Sequence, residues 1–271
     1  MRSESPRVQS RCDGAPCRSQ AYAKPAAHAD FHSRFRPRRT TQVDVDLILS
    51  SGFLAFSRHL GVLEAIRARG VETQAIVGTS SGAIVGAFVQ AGLSLPQVTQ
   101  ILAAEPPLRS LPLNPRPWRG LFSTTMVAQI LARNLPRRFE DMPKPFAVGV
   151  CDREGRHHLI REGELVPALL ASMAIPRIFP AVDIAGRAYL DGGVADRIGV
   201  HAWREWRPQQ KAIVHIVARS RGREIPFDPR DTLVIRTPRT RAKFWSLGDF
   251  TGQLHEARAL ADHALLELAS A

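Results

Sequence analysis

The stretch AIVGTSSGAIVGAF, residues 75–88, constrains the fold more than any other part of the sequence. An apolar run ends at Val77, the segment GTSSG (78–82) follows, and a second apolar run begins at once. Such a junction is typical of a nucleophile elbow, which holds the central serine hydroxyl above a sheet. A plain strand-to-helix turn is the alternative, but two glycines cost backbone entropy unless the site requires them. The stretch therefore predicts Ser80 as a nucleophile, with Ser81 offering its backbone N–H.

The residues around this junction predict alternating strands and helices. Apolar runs that indicate strands cover 43–49, 75–77, 146–151, 212–218 and 233–236, and helical periodicity covers 59–69, 83–91, 126–134, 165–173 and 253–269. Strands separated by helices predict parallel βαβ units with helices on both faces of the sheet. The expected fold class is therefore α/β, with a mainly parallel central sheet.

Charge divides the chain into two parts. The net charge is +12, and residues 1–42 hold nine Arg or Lys against three acidic residues, which is half of the excess. Because this segment also lacks apolar periodicity, it predicts a disordered basic leader before a folded domain over 43–271. It contains no apolar core of a secretory signal; an organelle transit peptide is the alternative for an Arg- and Ser-rich segment.

Cysteine usage favours a reducing compartment. The three cysteines, Cys12, Cys17 and Cys151, are too few and too scattered for a disulfide framework, so we expect a cytoplasmic protein. The spacing of Cys12 and Cys17 relative to His28 and His32 is irregular, which disfavours a zinc site. The sequence therefore predicts neither a metal nor a cofactor.

A serine nucleophile needs a base, and the sequence offers two kinds. An α/β-hydrolase places a histidine downstream of its acid. None of the downstream histidines follows a strand in a suitable loop: these are His201, His215, His255 and His263. Asp191 is the better candidate, since it follows an apolar pair and precedes Gly192 and Gly193, which allow a tight backbone turn. A plain Asp-Gly-Gly turn is the alternative.

Three stretches occur together in this chain, in the order GTSSGAIVGAFVQAG, ALLASMAIPRIFPAV and AYLDGGVADRIGV. The second contains Ser172-x-Ala174-x-Pro176, and the Asp-Gly-Gly turn follows its Phe-Pro pair after about ten residues. Together they resemble the patatin-like phospholipases. The resemblance runs from Val43 to the C-terminal helix, and it implies a three-layer α/β/α fold.

The resemblance also implies a role for each motif residue. Ser80 is the nucleophile and Asp191 is the base that takes its proton, so the site is a Ser-Asp dyad without a catalytic histidine. The substrates are acyl esters of lipids, which are cleaved through an acyl-enzyme. The glycines that support the two motifs are Gly78, Gly82, Gly192 and Gly193.

The oxyanion loop departs from the family pattern. Members usually carry Gly-x-Gly-x-x-Gly after the first strand, and the three glycine positions here hold Ser51, Phe53 and Phe56. Backbone N–H groups exist with any side chain, so we expect oxyanion donors at Gly52, Phe53 and Ser81. A non-glycine residue at φ > 0 is costly, which predicts a different path for this loop.

Three further positions differ from the family. Ala55 stands where members usually have an arginine, and Arg197 and Gly199 stand where they have asparagine and proline. These differences concern rate and substrate more than fold.

Two segments mix cations with aromatic residues, as a peripheral membrane surface does. One is 236–245, which ends in Phe244 and Trp245, and the other is the proline-rich 106–121, a candidate lid that contains Trp118. Solvated loops with one buried aromatic residue each are the alternative. No nucleic-acid-binding module is present, so nucleic acid is not an expected partner. We expect peripheral contact with an anionic membrane.

The sequence thus predicts a serine acyl hydrolase that acts on lipid esters. The second hypothesis is a catalytically weakened protein of the same fold, which binds lipid or a protein partner without turnover. The glycine-poor loop favours the second hypothesis, and the intact motifs around Ser80 and Asp191 favour the first.

Overall fold

The computed structural model describes residues 44–104, 111–219, 227–228 and 230–270. The predicted leader, with Cys12 and Cys17, and the first part of the predicted lid segment lie outside these residues.

The chain alternates between strands and helices. In order, the elements are β1 (Val45–Leu49), α1 (Phe56–Ala68), β2 (Thr73–Thr79), α2 (Ser81–Gln90), α3 (Leu95–Ala103), α4 (Thr125–Asn134), β3 (Phe146–Asp152), β4 (His157–Ile160), α5 (Leu165–Ser172), β5 (Val182–Ile184), β6 (Arg187–Asp191), α6 (Val200–Trp206), β7 (Lys211–Val217), β8 (Thr232–Thr237) and α7 (Phe250–Ser270). All of the predicted strands and helices are present, with bounds shifted by up to three residues.

Five elements are additional to those predicted from the sequence: α3, α6, β4, β5 and β6. Helix α3 carries a sequence signal, because Ser94 and Gln97 form a capping box and proline occupies its first turn. The other four elements have at most seven residues each, too short for a periodic pattern to stand out.

The eight strands form one mixed sheet in the order β5-β6-β3-β2-β1-β7-β8, with β4 also paired to β3. Strands β3, β2, β1, β7 and β8 run parallel, and β4, β5 and β6 join antiparallel at one end. Every residue of β1 is buried, as expected for a parallel strand covered on both faces. The predicted mainly parallel sheet is confirmed.

Side chains that alternate along the strands build a core on each face of the sheet. Leu47 and Leu49 of β1 pack with α1, α2, α3, α5 and α7. Ile48 faces the opposite side, where it packs with Trp203 of α6. The buried carboxylate of Asp46 lies on that side and accepts a hydrogen bond of 2.9 Å from the Trp203 indole. The molecule is thus a three-layer α/β/α fold with one thick and one thin helical layer.

Within the described part of the chain, no helix combines the length and the apolarity that crossing a membrane requires.

Candidate functional site

A cleft of about 540 Å³ opens at the carboxyl ends of the parallel strands. Ser80, which follows β2, and Asp191, which ends β6, both line it. The loop after β1 contributes Gly52 and Phe53 to the same cleft. Ligands of open α/β sheets bind at this edge. The structure therefore brings together the nucleophile, base and oxyanion-loop residues that the sequence predicts.

Ser80 has the strained backbone of a nucleophile elbow. Its φ of 54° and ψ of −120° lie outside the regions that L-residues favour. The helix that follows passes very close to β1: a Cβ at Gly82 would collide with the carbonyl of Leu49. The glycine therefore permits a packing distance that any side chain would prevent. Such strain is typical of functional sites, where the surrounding structure maintains it.

Ser172 supports the elbow from the end of α5. The Ser80 N–H donates to the Ser172 hydroxyl over 2.8 Å, and this hydroxyl in turn donates to the Gly149 carbonyl over 2.7 Å. Ser172 is fully buried, so both bonds are shielded from water. Ser172 is a motif position for which the sequence predicts no role. Its contacts make it a positioning residue for the backbone of Ser80.

We expect Ser172→Ala to destabilise the protein and to misplace the elbow. The change leaves the Ser80 N–H and the Gly149 carbonyl without a buried partner, which costs about 1–3 kcal/mol of unfolding free energy. Urea unfolding followed by circular dichroism measures this cost. An unchanged unfolding midpoint would show that the hydroxyl does not support the elbow.

Asp191 is poised to accept a proton. It is almost fully buried, and this burial raises the pKa of its carboxyl to about 6. The Ser80 hydroxyl, the Gly193 N–H and the cations of Arg219 and Arg197 act in the opposite direction and favour the carboxylate. The Gly193 N–H lies 2.7 Å from the carboxylate and orients it. A carboxylate with a pKa near 6 suits a general base at neutral pH.

The oxyanion loop avoids strain at the positions where family members have glycine. Ser51, Phe53 and Phe56 all have φ < 0. Ser51 precedes the turn, Phe53 lies within it and Phe56 begins α1. The strain lies at Leu54 instead, whose φ is 48°. The replaced positions thus avoid φ > 0 in this turn, and a loop path different from that of family members stays a prediction.

Backbone N–H groups of the oxyanion loop and of the elbow are available at the cleft. Among the described residues, none accepts a hydrogen bond from the N–H of Gly52 or Phe53. Ser81 is the first residue of α2, so its N–H precedes the hydrogen-bond ladder of that helix. The helix dipole also makes this end partly positive. These groups are suited to an oxyanion.

Arg197 fastens the oxyanion loop to the rest of the sheet. Its guanidinium donates to the carbonyls of Ser51 and Val217, each over 2.9 Å, and its Nε donates to the Ser51 hydroxyl over 3.3 Å. The Ser51 N–H returns a bond of 2.7 Å to the Arg197 carbonyl. Gly199 follows with a φ of 76° at the start of α6, a conformation that proline cannot adopt. Arg197 thus supports the oxyanion loop, and Gly199 sets the backbone turn into α6.

Two buried histidines lie behind the elbow. His59 Nε2 lies 3.2 Å from the Ser81 hydroxyl, His59 and His215 join through their Nδ1 atoms over 2.8 Å, and His215 Nε2 lies 2.9 Å from the Thr237 hydroxyl. Burial lowers the pKa of His59 to about 3 and that of His215 well below its usual value, so both rings are neutral. The sequence does not predict this series of hydrogen-bonded side chains, because most of its members are far apart in sequence.

No histidine is among the described residues that line the cleft. His215 lies in the core on β7, and His201 and His255 are exposed on α6 and α7.

Phe53 lines the cleft and belongs to a group of three phenylalanines, Phe53, Phe122 and Phe244, which is called the aromatic rim below. Phe53 meets Phe244 edge to face at 4.9 Å between ring centroids, and Phe122 lies 5.8 Å from Phe244. The two tryptophans of the predicted membrane segments lie close in sequence to Phe122 and Phe244, and both are exposed: Trp118 is 79% exposed and Trp245 is 65% exposed. In 236–245 the alternative of a solvated loop with one buried aromatic residue stays open, because Phe244 is partly buried against a small apolar cluster.

Curated proteins with similar sequences come from mycobacteria. An uncharacterized NTE family protein of Mycobacterium tuberculosis is 30% identical over 172 residues, which cover 59% of this chain and 46% of that protein. A second uncharacterized NTE family protein of the same organism is 26% identical over 175 residues, or 59% of this chain and 28% of that one. This chain thus spans less than half the length of these relatives.

The fold also matches a solved structure. VipD from Legionella pneumophila superposes with a TM-score of 0.54 at 11% identity, over 83% of this chain and 67% of that one, a likeness of fold alone. The family model described as patatin-like phospholipase matches residues 47–203, which is more than half of the 271 residues. This chain therefore belongs to the patatin-like phospholipase family.

Proposed function

We propose that this protein hydrolyses acyl esters of lipids with Ser80 as nucleophile and Asp191 as general base. One observation carries the proposal: Ser80 and the buried carboxylate of Asp191 line the same cleft as Gly52 and Phe53 of the oxyanion loop. The Ser80 hydroxyl favours the charged form of this carboxylate. Nucleophile, base and oxyanion donors are the three parts that acyl transfer needs. Family membership supports the class of substrate.

The first half-reaction forms an acyl-enzyme. Asp191 accepts the Ser80 proton while Oγ attacks the ester carbonyl, and the N–H groups of Gly52, Phe53 and Ser81 stabilise the oxyanion. The tetrahedral intermediate collapses, the ester C–O bond breaks, and the leaving alcohol takes the proton from Asp191.

The second half-reaction releases the acid. Asp191 accepts a proton from a water molecule, whose oxygen attacks the acyl carbon. When the intermediate collapses, the Ser80 oxygen leaves and recovers its proton from Asp191.

Labelling by a fluorophosphonate probe tests this function. We expect the probe to modify the folded protein at one residue, which mass spectrometry of the digested protein identifies as Ser80. Heat-denatured protein is the control, since it retains the residue but loses the site. Labelling at another serine, or none in the folded protein, would contradict the assignment.

A catalytically weakened protein that binds lipid or a protein partner is the second candidate. The observation that favours it is the glycine-poor loop with its strained Leu54, since an oxyanion hole depends on exact placement of its donors. The same experiment decides between the two, because a binding protein without turnover leaves the probe unreacted.

We also propose that the aromatic rim contacts the surface of an anionic membrane from a cytoplasmic location. Exposed tryptophans are favourable at the interface between water and lipid. Arg116 and Arg119 flank Trp118, and Lys243 lies 5.5 Å from the Trp245 ring. Each cation near an anionic surface contributes about 1 kcal/mol of binding.

We expect the double variant Trp118→Ser, Trp245→Ser to bind vesicles more weakly by at least about tenfold, because burial of two large apolar side chains is lost. Sedimentation with vesicles that contain phosphatidylserine measures the binding. Trp203→Phe is not a suitable control, since this side chain is buried. The exposed Leu260→Ser on α7 is suitable, and it should bind like the wild type. Equal binding of all three proteins would refute the membrane surface.

A further inference from the structure

Arginines converge on the cleft from separate loops. Strands β7 and β8 are parallel, and Val217 pairs with Thr237 at their carboxyl ends. Arg219 and Arg239 each lie two residues beyond this pair, so they leave the sheet side by side at the same edge. Arg197, from the segment before α6, lines the same cleft as both of them. The topology therefore places three guanidinium groups beside the proposed nucleophile.

More cationic than anionic side chains are present among the described residues that line the cleft. Among the described residues that line it, Asp191 is the one carboxylate, and it faces three arginines. Burial and, to a smaller extent, the cation of Arg219 together lower the pKa of Arg197 to about 10. The guanidinium groups of Arg197 and Arg219 thus repel each other. A bound anion relieves such repulsion, because an opposite charge stabilises both cations.

The guanidinium group of Arg197 is held in a fixed orientation by protein contacts, without a bound ligand. Its Nε and Nη2 are bonded to Ser51 and Val217, which fix the plane of the guanidinium. Its Nη1 donates to no acceptor among the described residues. Arginine binds phosphate oxygens through several donors of one plane, and a plane that is already fixed loses less entropy on binding.

We propose that Arg197, Arg219 and Arg239 form an anion subsite for the phosphate group of the acyl ester whose carbonyl lies at Ser80. The inference rests on the proposed hydrolase function for the role of the ligand as a substrate. It goes beyond that function by predicting selectivity: esters with a net negative phosphate group are preferred to neutral esters and to zwitterionic esters with the same acyl chains.

Kinetics with short-chain esters test the selectivity. The ratio of kcat/KM for dihexanoyl phosphatidate to that for dihexanoylglycerol is measured below the micellar concentrations. Loss of a nearby cation raises the pKa of the Asp191 carboxyl, since Arg219 and Arg197 both lower it in the wild type. The assay therefore runs at pH 8, where we expect this carboxyl to be deprotonated in each variant. Dihexanoyl phosphatidylcholine serves as the zwitterionic comparison. We expect the wild-type ratio to exceed about 10 and to fall with added salt.

Substitutions at Arg219 identify the subsite. Arg219 is exposed, so Arg219→Gln and Arg219→Glu retain the fold. We expect the first to lower the ratio about tenfold and the second to lower it further. Arg133→Gln is the matched control, since Arg133 is exposed on α4 and does not line the cleft. A ratio near 1 in the wild type, or one that the Arg219 variants do not change, overturns the subsite and leaves the hydrolase function standing.

Two further measurements extend the test. One distinguishes free phosphate from the phosphate group of an ester as the ligand, and the other tests the subsite if the protein hydrolyses no ester. If inorganic phosphate competes with dihexanoylglycerol in an Arg219-dependent way but phosphatidate is not preferred, the subsite binds free phosphate and the substrate assignment is wrong. If no ester is hydrolysed, calorimetry with dihexanoyl phosphatidate replaces kinetics. Binding that Arg219→Glu abolishes then supports the subsite while the proposed hydrolase function fails, and absence of binding overturns both.

Discussion

Ser80→Ala is expected to abolish ester hydrolysis and fluorophosphonate labelling while the fold remains intact. Alanine lacks the Oγ atom that attacks the ester carbonyl in the proposed mechanism. Loss of a serine nucleophile typically lowers kcat by at least about 10⁴-fold. The Ser80 N–H keeps its bond to Ser172, so the elbow retains its support. Hydrolysis of a short-chain ester and labelling of the same preparation measure the effect.

Ser81→Ala is the matched control, because it removes a hydroxyl one residue away. Its proposed role in the reaction uses the backbone N–H, which alanine retains, so we expect kcat to stay within about tenfold of the wild type. Its hydroxyl contacts His59, however, and loss of this buried bond should cost about 1–3 kcal/mol of unfolding free energy. Ser80→Ala should therefore lose activity and keep stability, whereas Ser81→Ala should do the reverse. Equal activity of the two variants would refute Ser80 as the nucleophile.

Asp191→Asn is expected to lower kcat/KM by about 10²- to 10⁴-fold, because an amide cannot accept the serine proton. The amide oxygen still accepts the Gly193 N–H, so the turn after β6 is retained. Asp183→Asn is the matched control: it makes the same chemical change at an exposed aspartate that caps the turn at Gly186. If Asp191→Asn keeps its activity while a histidine variant such as His255→Ala loses it, a different base operates.

The pKa of Asp191 predicts how the activity depends on pH. Burial raises the pKa of Asp191 to about 6, and the carboxyl must be deprotonated to accept a proton. Activity should therefore rise with pH through about 6 and reach a plateau near neutrality, with about a tenth of the plateau value one pH unit below the pKa. Kinetics of a short-chain ester between pH 4.5 and 8.5, a range of about four units, test this. A profile without this rise in the wild type would show that Asp191 is not the base.

The sequence by itself determined the layered α/β fold, placed Ser80 at a turn after an apolar strand and placed Asp191 at a turn after an apolar pair. These features are local: hydrophobic periodicity sets strands and helices, and glycines mark the tight turns on both sides of Ser80 and after Asp191. It also identified the replaced glycines of the oxyanion loop. The sequence could not show where the backbone strain of this loop lies, because the strained residue is Leu54, a position that the motif does not specify.

Only the tertiary structure decided how the site is supported and charged. Ser172 reaches the nucleophile across 92 residues of sequence, and His59 meets His215 across 156. Arg197, Arg219 and Arg239 meet because parallel strands bring their carboxyl ends to one edge of the sheet. The physical reason is the same in each case: a hydrogen bond or a repulsion between charges depends on distances of a few ångströms, which the order of strands fixes and the order of residues does not.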